Sequence, residues 1–147
     1  MAKEVDVNTQ IDIEVPLTAV AEYAFNPANA PEWYVNIQSV EWKTEPRVRE
    51  GAKAAFKAQF MGKTLAYTYE VVKFIPEKEL VMRTAEGPFP MQTTYRLEDK
   101  GEGITRMYLR NNGQPKGFSK LMAPLIKRMM RKANEKDLKM IKAIIEK

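Results

Sequence analysis

The 147-residue chain contains neither cysteine nor histidine. The first absence removes thiol nucleophiles and disulfide frameworks, and the second removes imidazole general bases. Together they remove Cys₂His₂-type zinc sites and haem ligation by either residue. Long apolar runs are missing too. No stretch approaches the roughly 20 apolar residues that cross a bilayer, and no basic segment leading into an apolar run opens the chain. A soluble, cytoplasmic protein is the expectation. Cysteine content fits either redox compartment, so that expectation rests on the missing export signal. Glycine-rich phosphate loops, recognised nucleic-acid motifs, internal repeats and low-complexity linkers are all absent. The carboxylates form no dense oxygen-ligand loop of the calcium type, so neither a metal nor a cofactor is expected.

What is present is enough chain for one domain spanning residues 1–147, able to bury a core without covalent or metal staples. The formal net charge is +5, placed unevenly: residues 116–147 hold ten Lys/Arg against three Asp/Glu. The plain reading is the solvated face of an amphipathic helix; the sharper one is a dock for an anionic partner. Nucleic acid is not expected as a partner, whereas a peripheral contact with an anionic membrane through this helix is open.

Periodicity supplies the elements. Val5, Val7, Thr9, Ile11, Ile13 and Val15 occupy every second position, the mark of a half-buried strand. Pro16 fits the first turn of a helix carrying Leu17, Val20, Ala21, Ala24 and Phe25, which Asn26-Pro27 stops. Strands are expected over 37–44, from Ala54 to Phe60 and, after a Met61-Gly62-Lys63 turn, from Thr64 to Ile75. Val72 and Phe74 change register against Leu65, Tyr67, Tyr69 and Val71, which predicts a bulge or two-sided burial. Leu80, Met82 and Thr84 form a fifth strand; Phe89, Met91, Thr93, Tyr95 and Leu97 a sixth; Thr105, Met107 and Leu109 a seventh. From about Gly117 to Ile145 the period becomes helical, with Phe118, Leu121, Met122, Leu125, Ile126, Met129, Ala133, Met140, Ile141 and Ile144 as the apolar stripe and an interruption at Pro124. The order is strand, two short helices, six strands, long helix, an α+β arrangement.

This order resembles the START-like superfamily, also called the polyketide cyclase/dehydrase and lipid-transport or SRPBCC group. The carriers of the resemblance are the first strand, Pro16-Leu17, Asn26-Pro27-Ala28-Asn29 leading to Pro31-Glu32-Trp33, and Gly51. Further carriers are Phe74-Ile75-Pro76-Glu77-Lys78-Glu79-Leu80, Thr94-Tyr95-Arg96-Leu97-Glu98 and Gly101-Glu102-Gly103-Ile104-Thr105. The resemblance implies a helix-grip fold: a seven-stranded curved antiparallel sheet wrapped around a long C-terminal helix, with two short helices after the first strand. It also implies a cavity between sheet and helix. Its members include carriers, ligand sensors, cyclases, oxygenase domains and chaperone activators, so it does not choose a function.

The inward strand faces and the helix stripe place Trp33, Trp42, Phe56, Phe60, Tyr67, Tyr69, Met82, Phe89, Met91, Tyr95, Met107, Met122, Ile126 and Met129 in or near such a cavity. Unbranched, polarizable methionine adapts to ligand shape, and an aromatic lining suits an apolar ligand. The plain alternative for each residue is core. Trp33 either caps a ligand at the cavity mouth or anchors its own loop. Tyr67, Tyr69 and Tyr95 offer hydroxyls to a polar ligand group. Glu70, Arg83, Glu86 and Arg96 are the ionisable candidates on the strands, but their period points them outward, and no paired acid and base emerges. The leading expectation is binding or carriage of a small hydrophobic molecule such as a lipid, polyketide or aromatic metabolite, with no catalytic residue assigned. The alternatives are a polyketide cyclase/dehydratase-like enzyme using a buried Tyr as acid, and a protein-interaction module of the chaperone-activator type acting through the basic helix.

Overall fold

The computed structural model describes residues 5–60, 62–88, 90–114 and 120–147. Strand β1 (Val5–Ile13) obeys its alternation: Val5, Val7, Thr9 and Ile13 are buried, while Asn8, Gln10 and Asp12 between them are exposed. Pro16 stands one position earlier than expected. It precedes helix α1 (Leu17–Ala24) as the N-cap, and its carbonyl accepts the N–H groups of Ala19 and Val20 at 3.1 and 3.2 Å. The Asn26 side chain then accepts from the Ala28 N–H at 3.1 Å, fixing the 3₁₀ turn Pro27–Asn29 that runs into α2 (Ala30–Trp33).

Six strands follow: β2 (Ile37–Trp42), β3 (Lys53–Phe60), β4 (Lys63–Ile75), β5 (Glu79–Glu86), β6 (Met91–Gly101) and β7 (Ile104–Gly113). β2 stops at Trp42, two residues short of the expected end, because the ladder to β3 ends with the Trp42–Ala54 pair. The seven strands form one sheet in the order β1-β7-β6-β5-β4-β3-β2, with every neighbouring pair antiparallel. β1 and β2 therefore occupy opposite edges, and α1 and α2 carry the chain between them. The register change in β4 is a bulge, the pairing with β5 shifting between Val71 and Lys73.

Helix α3 (Ala123–Ile145) follows a 3₁₀ turn at Lys120–Met122. Pro124 lies in its first turn, where the missing N–H is harmless, so the expected interruption is the helix start. Gly117 and Phe118 lie outside the described residues. α3 runs along β1: Ile126 packs with Val5 and Val7, Arg131 donates to the Asn8 carbonyl at 3.0 Å and Lys142 to the Asp12 carbonyl at 2.9 Å. Its buried line is Ala123, Ile126, Asn134, Asp137, Leu138 and Ile141. The expected stripe is corrected at Leu121, Leu125, Met129 and Met140. Leu125, Met129 and Met140 are exposed on α3, and Leu121, in the 3₁₀ turn before it, is 92% exposed. The curled antiparallel sheet gripping a C-terminal helix is the helix-grip fold.

Candidate functional site

Between the sheet and α3 lies a cavity of about 140 Å³. Alternation along each strand supplies its wall: Phe56, Ala58 and Phe60 from β3, Leu65, Tyr67 and Tyr69 from β4, Met91, Thr93 and Tyr95 from β6, and Asn111 and Gly113 from β7. α3 contributes Ile126, Met130, Ala133, Asn134 and Asp137 at helical spacing, and the segment after α2 contributes Tyr34, Asn36 and Ile37. Gln59 lines the cavity yet is exposed, which marks where it opens. The rings pack as one unit. Phe56 stacks on Tyr67 with centroids 5.4 Å apart, and Tyr69 meets both edge-on at 5.3 and 5.0 Å.

One side of this aromatic space is polar. Tyr69 Oη and Thr93 Oγ1 share a hydrogen bond of 2.8 Å, Thr93 donates to Asn111 Oδ1 at 2.6 Å, and Asn111 Nδ2 donates to Asn134 Oδ1 at 3.0 Å. Asn134 Nδ2 donates to Asp137 Oδ2 at 3.3 Å, and the Val35 N–H donates to Asp137 Oδ1 at 2.8 Å. The chain thus links β4, β6, β7, α3 and the segment after α2. A separate pair, Tyr34 and Tyr95, joins hydroxyl to hydroxyl at 2.8 Å.

Burial sets the ionisation of these groups. Removal from water pushes Asp137 up to about 6, opposed by the Val35 N–H and Asn134 bonds that favour the carboxylate. Burial pushes Tyr69 up to about 12, with the Thr93 bond acting the other way. Burial raises Tyr34, Tyr67 and Tyr95 far above the ordinary phenol range. At neutral pH the tyrosines are therefore hydrogen-bond donors rather than bases, and Asp137 is the group that changes charge near neutrality. Among the described lining residues Asp137 is the one carboxylate, and none is a lysine or arginine.

Of the fourteen residues chosen from the sequence, Phe56, Phe60, Tyr67, Tyr69, Met91, Tyr95 and Ile126 sit on the cavity wall. Phe89 lies outside the described residues. The others stand elsewhere. Met82 and Met107 are 2% and 0% exposed within the main core, and Trp42 packs at the margin of that core. Met122 packs against the Val5, Val7 and Ile126 cluster, and Met129 is partly solvent-exposed. Trp33 is buried behind the wall, its ring 4.1 Å from Tyr34 and 5.7 Å from Tyr95, the geometry of an anchor. Arg83 and Arg96 are exposed, as their period demands, and Arg96 lies 4.0 Å over the Tyr108 ring.

Sequence reasoning did not select Tyr34, Asn111, Asn134 or Asp137. A signal existed for the last three. Asn111 continues the inward alternation of Thr105, Met107 and Leu109, and Asn134 and Asp137 fall on the same helix side as Ile126, Met130 and Ile141. A polar residue at an inward position is the informative exception.

The comparisons agree with this architecture. The family described as polyketide cyclase / dehydrase and lipid transport matches residues 4–146. A structure of a Thermus thermophilus protein is similar at 21% identity, with 95% of this chain and 96% of that one covered and a TM-score of 0.82. The Zhui aromatase/cyclase of a Streptomyces species is similar at 14% identity over 98% of this chain and 94% of its own, with a TM-score of 0.79. A START superfamily protein of Mycobacterium smegmatis follows at 12% identity, 96% and 97% coverage and a TM-score of 0.78. Comparison with curated proteins finds no match. A helix-grip sheet around a cavity of this kind defines the START-like class. Within that class the chain belongs to the polyketide cyclase / dehydrase and lipid transport family.

Proposed function

We propose that the protein binds and carries a small hydrophobic molecule in the cavity between sheet and α3. The observation that carries this reading is the cavity itself, aromatic on its β3 and β4 side and hydrogen-bonded along one edge through Thr93, Asn111, Asn134 and Asp137. An engineered apolar cavity of about 150 Å³ holds benzene, so a space of about 140 Å³ suits a ligand whose buried body is about one ring. Apolar burial supplies affinity, and the polar edge fixes orientation. Native mass spectrometry of freshly purified protein, followed by denaturation and identification of the released molecule, tests the reading. A stoichiometric apolar adduct supports it. Equal affinity for that ligand in well-folded Phe56→Ala and Tyr95→Ala variants would remove the cavity from the account.

Asp137 favours a second reading, a cyclase or dehydratase, since that chemistry requires an ionisable group inside the cavity. Tyr34 and Tyr95 would donate to a carbonyl while the Asp137 carboxylate accepts a proton. Turnover of a bound polyketide-like substrate that survives Tyr95→Phe and Asp137→Asn unchanged would exclude it.

The exposed side of α3 supports a peripheral role at an anionic membrane. Leu125 and Met129 face solvent there beside exposed Arg128 and Lys132, with exposed Leu121 in the turn just before the helix. Vesicles containing phosphatidylserine should retain the protein at low salt, and Leu125→Glu with Met129→Glu should release it. Equal retention on neutral vesicles would count against the charge component.

A further inference from the structure

We propose that the ligand class selected by the cavity is the lipophilic amine: a compact aromatic or alicyclic body bearing a protonated amino group, with the cation held by Asp137 against the surrounding rings. This rests on the cavity-binding reading and narrows it. Three observations converge on it.

Charge comes first. Asp137 is 2% exposed, and no lysine or arginine stands within ion-pair distance of it among the described residues. A buried carboxylate without a cation is costly, and its two hydrogen bonds from the Val35 N–H and Asn134 occupy only part of its accepting capacity. The side-chain oxygen of an asparagine could still accept the Val35 N–H and so tie α3 to the segment after α2, but as a weaker, uncharged acceptor and without a second oxygen for Asn134 Nδ2. These two donors solvate the carboxylate without neutralising it, and a ligand cation would supply the missing opposite charge.

The walls come second. Asp137 shares the cavity with the rings of Tyr34, Phe56, Tyr67, Tyr69 and Tyr95. Ring faces attract a desolvated cation, an attraction that carboxylates and neutral hydroxyls do not receive. Tyrosines held neutral by burial keep those faces without adding further negative charge. The third observation is exclusion. With no lysine or arginine on the described wall, a ligand carboxylate or phosphate would meet the repulsion of Asp137 with no described cation to offset it, so fatty acids and acyl phosphates are disfavoured.

The titratable groups facing Asp137 from the packed elements are Tyr34, in the segment after α2, and Tyr95 on β6; both stay protonated in the range at issue. Below the alkaline range in which the amine itself deprotonates, its binding should therefore follow the ionisation of Asp137. It should hold at pH 7 and weaken as pH falls through about 6.

The test uses three probes of one skeleton, phenethylamine, phenethyl alcohol and phenylacetate, titrated into the full chain by amide correlation NMR. The proposal expects the amine to bind about tenfold tighter than the alcohol, and phenylacetate to bind more weakly than either. In Asp137→Asn the ratio of amine to alcohol affinity should fall close to one. In the wild type that ratio should also fall between pH 7 and pH 5 without any substitution, which keeps the test decisive if the variant folds poorly. An alcohol that binds as tightly as the amine, or a ratio untouched by both pH and Asp137→Asn, overturns the amine preference and leaves the cavity reading standing. Failure of all three probes to shift resonances of the cavity wall overturns both.

Discussion

Asp137 carries a cost that can be measured without any ligand. Its carboxyl is raised to about 6 in the folded protein from an ordinary value of 3.8, chiefly by burial. Between those values the native state binds more protons than the unfolded chain, so this group's contribution to stability decreases as pH rises through the window and is lowest above pH 6. Asp137→Asn keeps an acceptor for the Val35 N–H and removes the titration. Relative to wild type the variant should gain on the order of 3 kcal/mol between pH 4 and pH 8, read from urea denaturation at the two pH values. A difference that is flat or of opposite sign would mean that the carboxylate is compensated in the folded protein. At this scale the sequence was legible where side chains are apolar and opaque where they are not. Phe56, Tyr69 and Tyr95 reveal their side of the sheet through alternation alone. Asp137 and Asn134 resemble any pair of polar residues on a charged helix until their position on the buried side is known, because burial of a polar group depends on partners from other elements.

Among the elements, the end of β7 is the most sharply constrained. A Cβ on Gly113 would stand 2.5 Å from the Pro90 carbonyl oxygen and 3.1 Å from the Met91 Cα, both backbone atoms of the segment leading into β6. Gly113 also pairs with both Val5 and Met91, so displacement there disturbs two ladders at the cavity wall. Gly113→Ala should cost roughly 1–3 kcal/mol, measured by denaturant unfolding, and should weaken ligand binding together with stability. Strand existence and order follow from period-two patterns and turns. The ends do not, since β2 closes at Trp42 although the Lys43 N–H still reaches the Lys53 carbonyl at 2.9 Å, the Thr44 hydroxyl oxygen taking the Lys53 N–H at 3.0 Å in place of a ladder bond. α3 is the reverse case. Its existence is plain, but its stripe is misread at Leu121, Leu125 and Met129, where apolar residues continue at helical spacing onto a side with no sheet to cover them.

At the scale of the whole molecule, one apolar cluster divides between residues packed on all sides, such as Met82 and Met107, and residues that border the cavity, such as Phe56, Tyr69 and Tyr95. Methionine marks the division. Met107 is 0% exposed in the main core, whereas Met91 is half-buried on the cavity wall. Met107→Ala should cost about 2–5 kcal/mol, and Met91→Ala clearly less, because one truncation opens a void in close packing and the other widens a space already present. Thermal unfolding of the two variants checks the difference, and similar losses would mean that Met91 is as tightly packed as the core. Sequence patterning marks both residues as inward but not which of two inward environments each enters. That depends on where the curled sheet and α3 separate.

The placement of β1 beside β7 has a consequence for how the molecule assembles. Thr9 donates to the carbonyl of Leu109 across that edge, a contact between residues 100 apart in sequence. The strands from β2 to β7 can pair with neighbours in chain order, each through a short connection, while β1 has its sheet partner only when nearly all of the chain is available. Such non-local pairing delays the reward for closing a long loop, and folding of this topology belongs in the range of milliseconds to seconds. Of the seven strands β1 is synthesised first and its partner β7 last. Its alternating valines and isoleucines must wait without their partner strand, and the aspartates set among them, Asp6 and Asp12, keep that waiting segment charged until Arg110 and Arg106 arrive to meet them.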